Sequence, residues 1–163
     1  MRKSTVFAAV AVIFITPVSA AIAATAIGGF NVQVVIQETC AVSSPPTTTL
    51  NFGTQTLLNA DVDAQTTIQV QCSTGTIYDV SLDVGQNASR RMRLGATASY
   101  VDYELYTTAG RTIIWPTTAA AILPYTGTGT AQNFTVYGRI PTQTTPAASL
   151  TPYTDTVAIT VTY

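Results

Sequence analysis

Carboxylates, imidazoles, thiols and amines supply most side-chain chemistry, and this chain uses all four sparingly: it has no His, two Cys and eight acidic residues, and its single Lys is Lys3. Three acidic pairs have even spacing, Asp61 with Asp63, Asp79 with Asp83, and Asp102 with Glu104, which places both members on one face of a strand. Two carboxylates flanking a bond are the requirement for glycoside hydrolysis. Asp79 and Asp83 fall on the polar parity of their segment, however, and solvated strand faces are the expected role of all three pairs. A Ser-His-Asp relay is impossible without His, and two Cys with no His leave a zinc ion almost no ligand set. Gly127 and Gly129 lack the Lys and following helix of a phosphate-binding loop. No catalytic residue, metal site or cofactor is expected, and the chain reads as something other than an enzyme.

Three further groups invite a binding role. Arg90, Arg91 and Arg93 form a basic cluster that reads as a solvated turn. Trp115 and the eight Tyr offer aromatic faces for a sugar, but core packing is the expected use. Asn87 and Asn133 open Asn-X-Ser/Thr sequons, which matter only in a host that glycosylates them.

The compartment follows from the first residues. Met1, Arg2 and Lys3 precede an apolar run from Val6 to Ile15, then Pro17 and the small residues Ser19, Ala20, Ala21, Ala23 and Ala24, the order of a secretory signal peptide. The run is too short to span a bilayer, which takes about 20 apolar residues. Residues 1–24 are therefore expected to be removed, with cleavage after Ala20 or Ala23 as alternatives to Ala24, and the mature protein is expected to be soluble and exported, with no membrane span. Export places Cys40 and Cys72 where disulfides persist, and their pairing is the expectation. Loss of the leader leaves Arg90, Arg91, Arg93, Arg111 and Arg139 against eight acidic residues, so the mature chain is acidic and nucleic acid is an unsuitable partner. It also has no Lys to serve as a Ser-Lys base. Its length suits one domain with a single core.

Thr, Gln, Ser and Asn supply the polar content and only 9% of residues are charged; with abundant Thr, Val, Ile and Tyr this predicts β-structure throughout. Phe30, Val32, Val34 and Ile36 alternate with Asn31, Gln33, Val35 and Gln37, a period-two strand with an oily face. Cys40 and Val42 open a second strand, broken by Pro45 and Pro46 ahead of Leu50, Phe52 and Gly53. Ile68, Val70 and Cys72 mark a third, and Tyr78, Val80, Leu82 and Val84 a fourth. Tyr100 to Tyr106 and Ile113 to Trp115 read as a hairpin across Ala109 and Gly110. Thr126 to Thr130 read as a loop, Phe134 to Ile140 as a strand ended by Pro141, and Val157, Ile159, Val161 and Tyr163 as one face of a last strand. Short strands with turns between them and no helical period predict a sandwich.

A sandwich that stops one strand early would leave an apolar groove and an unpaired edge, and such an edge accepts an added strand through main-chain hydrogen bonds and side-chain pockets. Alternation by itself leaves open whether the first and last segments are ordinary strands of a complete sandwich.

The chain resembles subunits of the spore coat protein U family, which include those of Csu-type, or archaic, chaperone-usher pili. The residues carrying the resemblance are the strand before Cys40 and Val42, Leu50 to Gly53 (Leu-Asn-Phe-Gly), Cys72 to Gly75 with Tyr78, and Arg91 with Met92. They continue with Tyr103 to Tyr106, Trp115, Tyr137 to Pro141 (Tyr-Gly-Arg-Ile-Pro), and Tyr153 to Tyr163 with Asp155. The resemblance implies an all-β, incomplete immunoglobulin-like sandwich of residues 38–163 with a donor extension over 25–37. Its groove would be filled first by a periplasmic chaperone and then, after passage through an outer-membrane usher, by the extension of the next identical subunit. Head-to-tail contacts of that kind build a fibre. On this sequence the donor residues would be Phe30, Val32, Val34 and Ile36; the acceptor edge would be Val157, Ile159, Val161 and Tyr163, with the Tyr163 carboxylate a handle for basic chaperone residues. Tip adhesins of the family carry an extra domain ahead of the pilin domain, so a main rod subunit acting in attachment and biofilm formation is expected. A self-contained coat or surface-binding protein is the alternative.

Overall fold

The computed structural model describes residues 24–42, 48–119 and 124–163. The expected signal peptide, up to residue 23, and the Pro45–Pro46 break lie outside them. The chain divides into two units, residues 1–35 and 36–163. The described part of the first unit, residues 24–35, contains no strand or helix, and Ile27, Phe30, Val32, Val34 and Val35 are each more than four-fifths exposed. The expected strand over Phe30–Ile36 is not formed among the described residues.

The second unit is all-β among its described residues. Nine strands follow in order: β1 (Cys40–Val42), β2 (Val62–Cys72), β3 (Ile77–Leu82), β4 (Arg91–Arg93), β5 (Tyr100–Asp102), β6 (Glu104–Tyr106), β7 (Tyr125–Thr126), β8 (Ala131–Ile140) and β9 (Ile159–Thr162). One sheet has the order β1-β2-β8-β6, a second β7-β3-β9, and β4 pairs with β5. The long antiparallel ladder of β2 with β8 runs from Val62 opposite Ile140 to Gln71 opposite Ala131.

Period two decides the faces. Ile68, Val70 and Cys72 on β2 and Phe134, Val136 and Ile140 on β8 turn inward, against Tyr78, Val80 and Leu82 of β3 with Leu105 and Trp115. Each such side chain contributes roughly 1.5–3 kcal/mol by leaving water. Trp115 is buried and donates its indole N–H to the Val80 carbonyl at 3.1 Å, so it serves the core as expected. Cys40 and Cys72 are disulfide-bonded and sit opposite each other in the β1–β2 register.

Leu50–Gly53 lies outside the strands, and Leu50 and Phe52 cover Gly138, where a Cβ would lie 2.9 Å from Phe52 Cζ. Two elements differ from expectation. The expected hairpin narrows to β6 and one bridge between Tyr106 and Ile114. The expected loop over Thr126–Thr130 starts one residue late, because Thr126 ends β7.

Arg90 is the main correction. It is not a solvated turn residue but a buried cation, donating to the carbonyls of Leu82 (3.0 Å) and Trp115 (2.8 Å) and pairing with Glu104. Sequence clustering hid this, because three adjacent Arg look equivalent until the fold turns one inward. Arg91 and Arg93 lie beside Tyr100 and donate to loop carbonyls of Asn87, Ala96 and Thr97.

Candidate functional site

An apolar groove of about 490 Å³ opens between the two sheets. Its walls are Thr66, Ile68 and Val136 from the β2–β8 ladder and Leu82, Val157 and Ile159 from the β3–β9 side, with Met92, Tyr103 and Leu105 at its base and Leu50 and Phe52 at its lip. Strand alternation explains the lining: Ile68, Leu82, Leu105 and Val136 form a buried floor, and Leu50, Phe52, Met92, Val157 and Ile159 around them are only partly buried.

Among the described residues, β9 pairs only with β3, from Ile159 opposite Leu82 to Thr162 opposite Asp79, and β1 pairs only with β2. Cα atoms of β1 and β9 come within 8 Å of each other. Of the expected acceptor residues, Val157 and Ile159 line the groove, Val161 is half-buried and packs against the core, and Tyr163 is exposed. The expected donor residues Phe30, Val32, Val34 and Ile36 are exposed, each by at least 82%.

One end of the groove is polar, and its construction was not foreseen. Asp83 Oδ1 accepts the N–H groups of Gly85 and Ala158, both at 2.9 Å. Asp155 Oδ1 accepts from Gln86 N, Asn87 Nδ2 and Thr156 N, while Oδ2 accepts the Tyr103 hydroxyl at 2.7 Å. These two carboxylates tie the approach to β9 to the exit of β3. Burial, and then the hydrogen bond to Asp155, push the Tyr103 hydroxyl well above the ordinary tyrosine range. Gly85 is required in this arrangement: its φ is +81°, and a Cβ would meet the Asp155 carboxylate, with Cγ 2.7 Å away. The Asp-X-Gly spacing was the available signal, since Asp favours a bond to the backbone two residues on.

The other acidic pairs are structural too. Asp63 accepts two bonds from Arg139, at 2.7 and 2.9 Å, and also pairs with Arg111; Asp61 pairs with Arg139. The Arg139 hydrogen bond holds the Asp63 carboxyl below its usual range. Glu104 is bound to buried Arg90, so a solvated strand face does not account for it. No group of three or more His, Cys, Asp or Glu that could hold a metal occurs among the described residues. No helix among them is long and apolar enough to cross a membrane.

Comparison with known proteins gives the family and the fold. Residues 26–160 match the Spore Coat Protein U domain. The chain belongs to the spore coat protein U family. The chain is also similar to Protein U of Myxococcus xanthus, 32% identical, with 99% of this chain and 98% of that protein aligned. The fold is similar to a chain of the chaperone–tip adhesion subunit pre-assembly complex, CsuC–CsuE, from the archaic chaperone-usher Csu pili of Acinetobacter baumannii. The TM-score is 0.50 at 26% identity over 78% of this chain. The chain spans 40% of the length of that solved chain. This spore coat protein U domain accordingly has the fold of a chaperone-usher pilus subunit.

Proposed function

We propose that the chain is a pilin that polymerises by donor-strand complementation. The extension over residues 25–37 of one subunit lays Phe30, Val32, Val34 and Ile36 into the groove of the next and pairs along β9. The carrying observation is the match between an exposed apolar stripe and an open apolar groove with a free strand edge. Lengths agree as well, since Phe30–Ile36 and Val157–Tyr163 are equally long segments with the same alternation. A chaperone would hold the groove before assembly and an usher would pass the subunit outward, after export with the leader of residues 1–24; the Csu complex, which pairs a subunit with its chaperone, supports the first of these steps. A surface fibre of identical subunits, used in attachment and biofilm formation, is the resulting role.

The test is gel electrophoresis of periplasmic material, unheated and boiled, beside a variant lacking residues 26–37. A ladder that collapses on boiling and is absent from the deletion is expected. Val34→Asp should abolish the ladder, because an unpaired carboxylate would enter an apolar groove at a cost of several kcal/mol. A protease-resistant monomer from both the native chain and the deletion would instead favour a self-contained coat protein, the reading suggested by membership in a spore coat family.

A further inference from the structure

The root of the extension is fastened at one point. Strand pairing continues one residue before β1, where Ser73 N donates to the Thr39 carbonyl at 2.9 Å. The Ser73 hydroxyl accepts the Thr39 N–H at 3.2 Å, and its single proton lies within reach of the carbonyls of Gln37 (3.3 Å) and Thr39 (3.4 Å). The adjacent Cys40–Cys72 disulfide locks the register beside it.

Register then gives a direction. Cys40 lies opposite Cys72 and Val42 opposite Val70, so β1 advances toward the groove-lining Ile68 and Thr66, and residues 37–39 leave it the opposite way. A chain that filled its own groove would have to reverse within Gln37, Glu38 and Thr39. That reversal would break the bonds to Ser73.

We propose that Ser73 is a positioning residue that holds the root of the extension facing away from its own groove, and so favours insertion into a second copy over closure onto the same chain. The inference rests on the donor-strand reading. Ser73 is half-buried at the end of β2, so its replacement leaves the core intact. With Ser73→Ala the side-chain bonds are lost and the strand-end turn becomes easier to form, which should raise the ratio of closed monomer to ladder about fivefold. Ser73→Thr keeps the hydroxyl and should restore the native ratio, which a purely structural role in the turn would not require.

The experiment compares unheated gel patterns of the native chain, Ser73→Ala and Ser73→Thr, each with and without an excess of synthetic peptide spanning residues 28–37. The peptide should shorten the ladder in all three by capping free grooves. If it shortens the ladder but Ser73→Ala leaves the monomer-to-ladder ratio unchanged, the positioning role is overturned and donor-strand assembly stands. If the peptide caps nothing, donor-strand assembly fails and this inference fails with it.

Discussion

Replacing Arg90 with Met removes the one charged side chain that is buried among the described residues, and the cost can be worked from its partners. The residue is 8% exposed, and its guanidinium donates to Leu82 O at 3.0 Å and Trp115 O at 2.8 Å, with a longer bond to Leu105 O at 3.3 Å. These carbonyls belong to β3, to the segment after the Thr107–Ile114 turn, and to β6, so one side chain joins three stretches that have no common ladder. Met fills much of the stem's volume but donates nothing. Two well-formed bonds from a charged donor are worth roughly 1.5–3 kcal/mol each. Glu104, whose side chain is 31% exposed, regains water when its partner leaves and adds little. The sum is about 4 kcal/mol, in the range for breaking a buried pair. Urea unfolding of the disulfide-intact mature chain, followed by fluorescence of the sole Trp, Trp115, measures it. Arg90→Lys should lose about 2 kcal/mol, because an ammonium lacks the planar fork that reaches both carbonyls. A loss below about 1 kcal/mol for Arg90→Met, the scale of an ordinary surface change, would refute the reasoning.

Gly85→Ala should destabilise by about 3 kcal/mol, combining a left-handed backbone with overpacking against Asp155; an unchanged melting temperature would contradict the crowding. Stability should fall as pH rises above about 10, the unfolded tyrosine value, because Tyr103 keeps its proton in the folded state after the unfolded chain has lost it. Tyr103→Phe should flatten that alkaline slope in a pH series of denaturation midpoints while lowering stability at neutral pH. Cys40→Ser should cost about 3.5 kcal/mol in the chain-entropy account of a loop of about 32 residues, read as a lower midpoint and lower periplasmic yield.

Much of the fold was legible because it depends on local pattern. Alternation along Ile68–Cys72, Tyr78–Leu82 and Phe134–Ile140 placed β2, β3 and β8 and named their buried faces, since a side-chain period of two assigns every residue to one face. The disulfide was expected from the two cysteines read with an expected export leader.

The candidate site was half legible. Its apolar members, Val157 and Ile159, stand out by alternation, and so does the exposed stripe from Phe30 to Ile36. Asp83, Tyr103 and Asp155 are distant in sequence and acquire a joint meaning only when β9 pairs with β3 and carries the Asp155 segment past Gly85. The same holds for Arg90, whose burial depends on carbonyls contributed by β3, β6 and the Trp115 segment. Composition and period, which act through neighbouring residues, determined by themselves that the chain is β-structured and poor in catalytic groups. Tertiary structure alone decided which strand edges stay open and which charges are buried, because both are set by non-local pairing that no local pattern records.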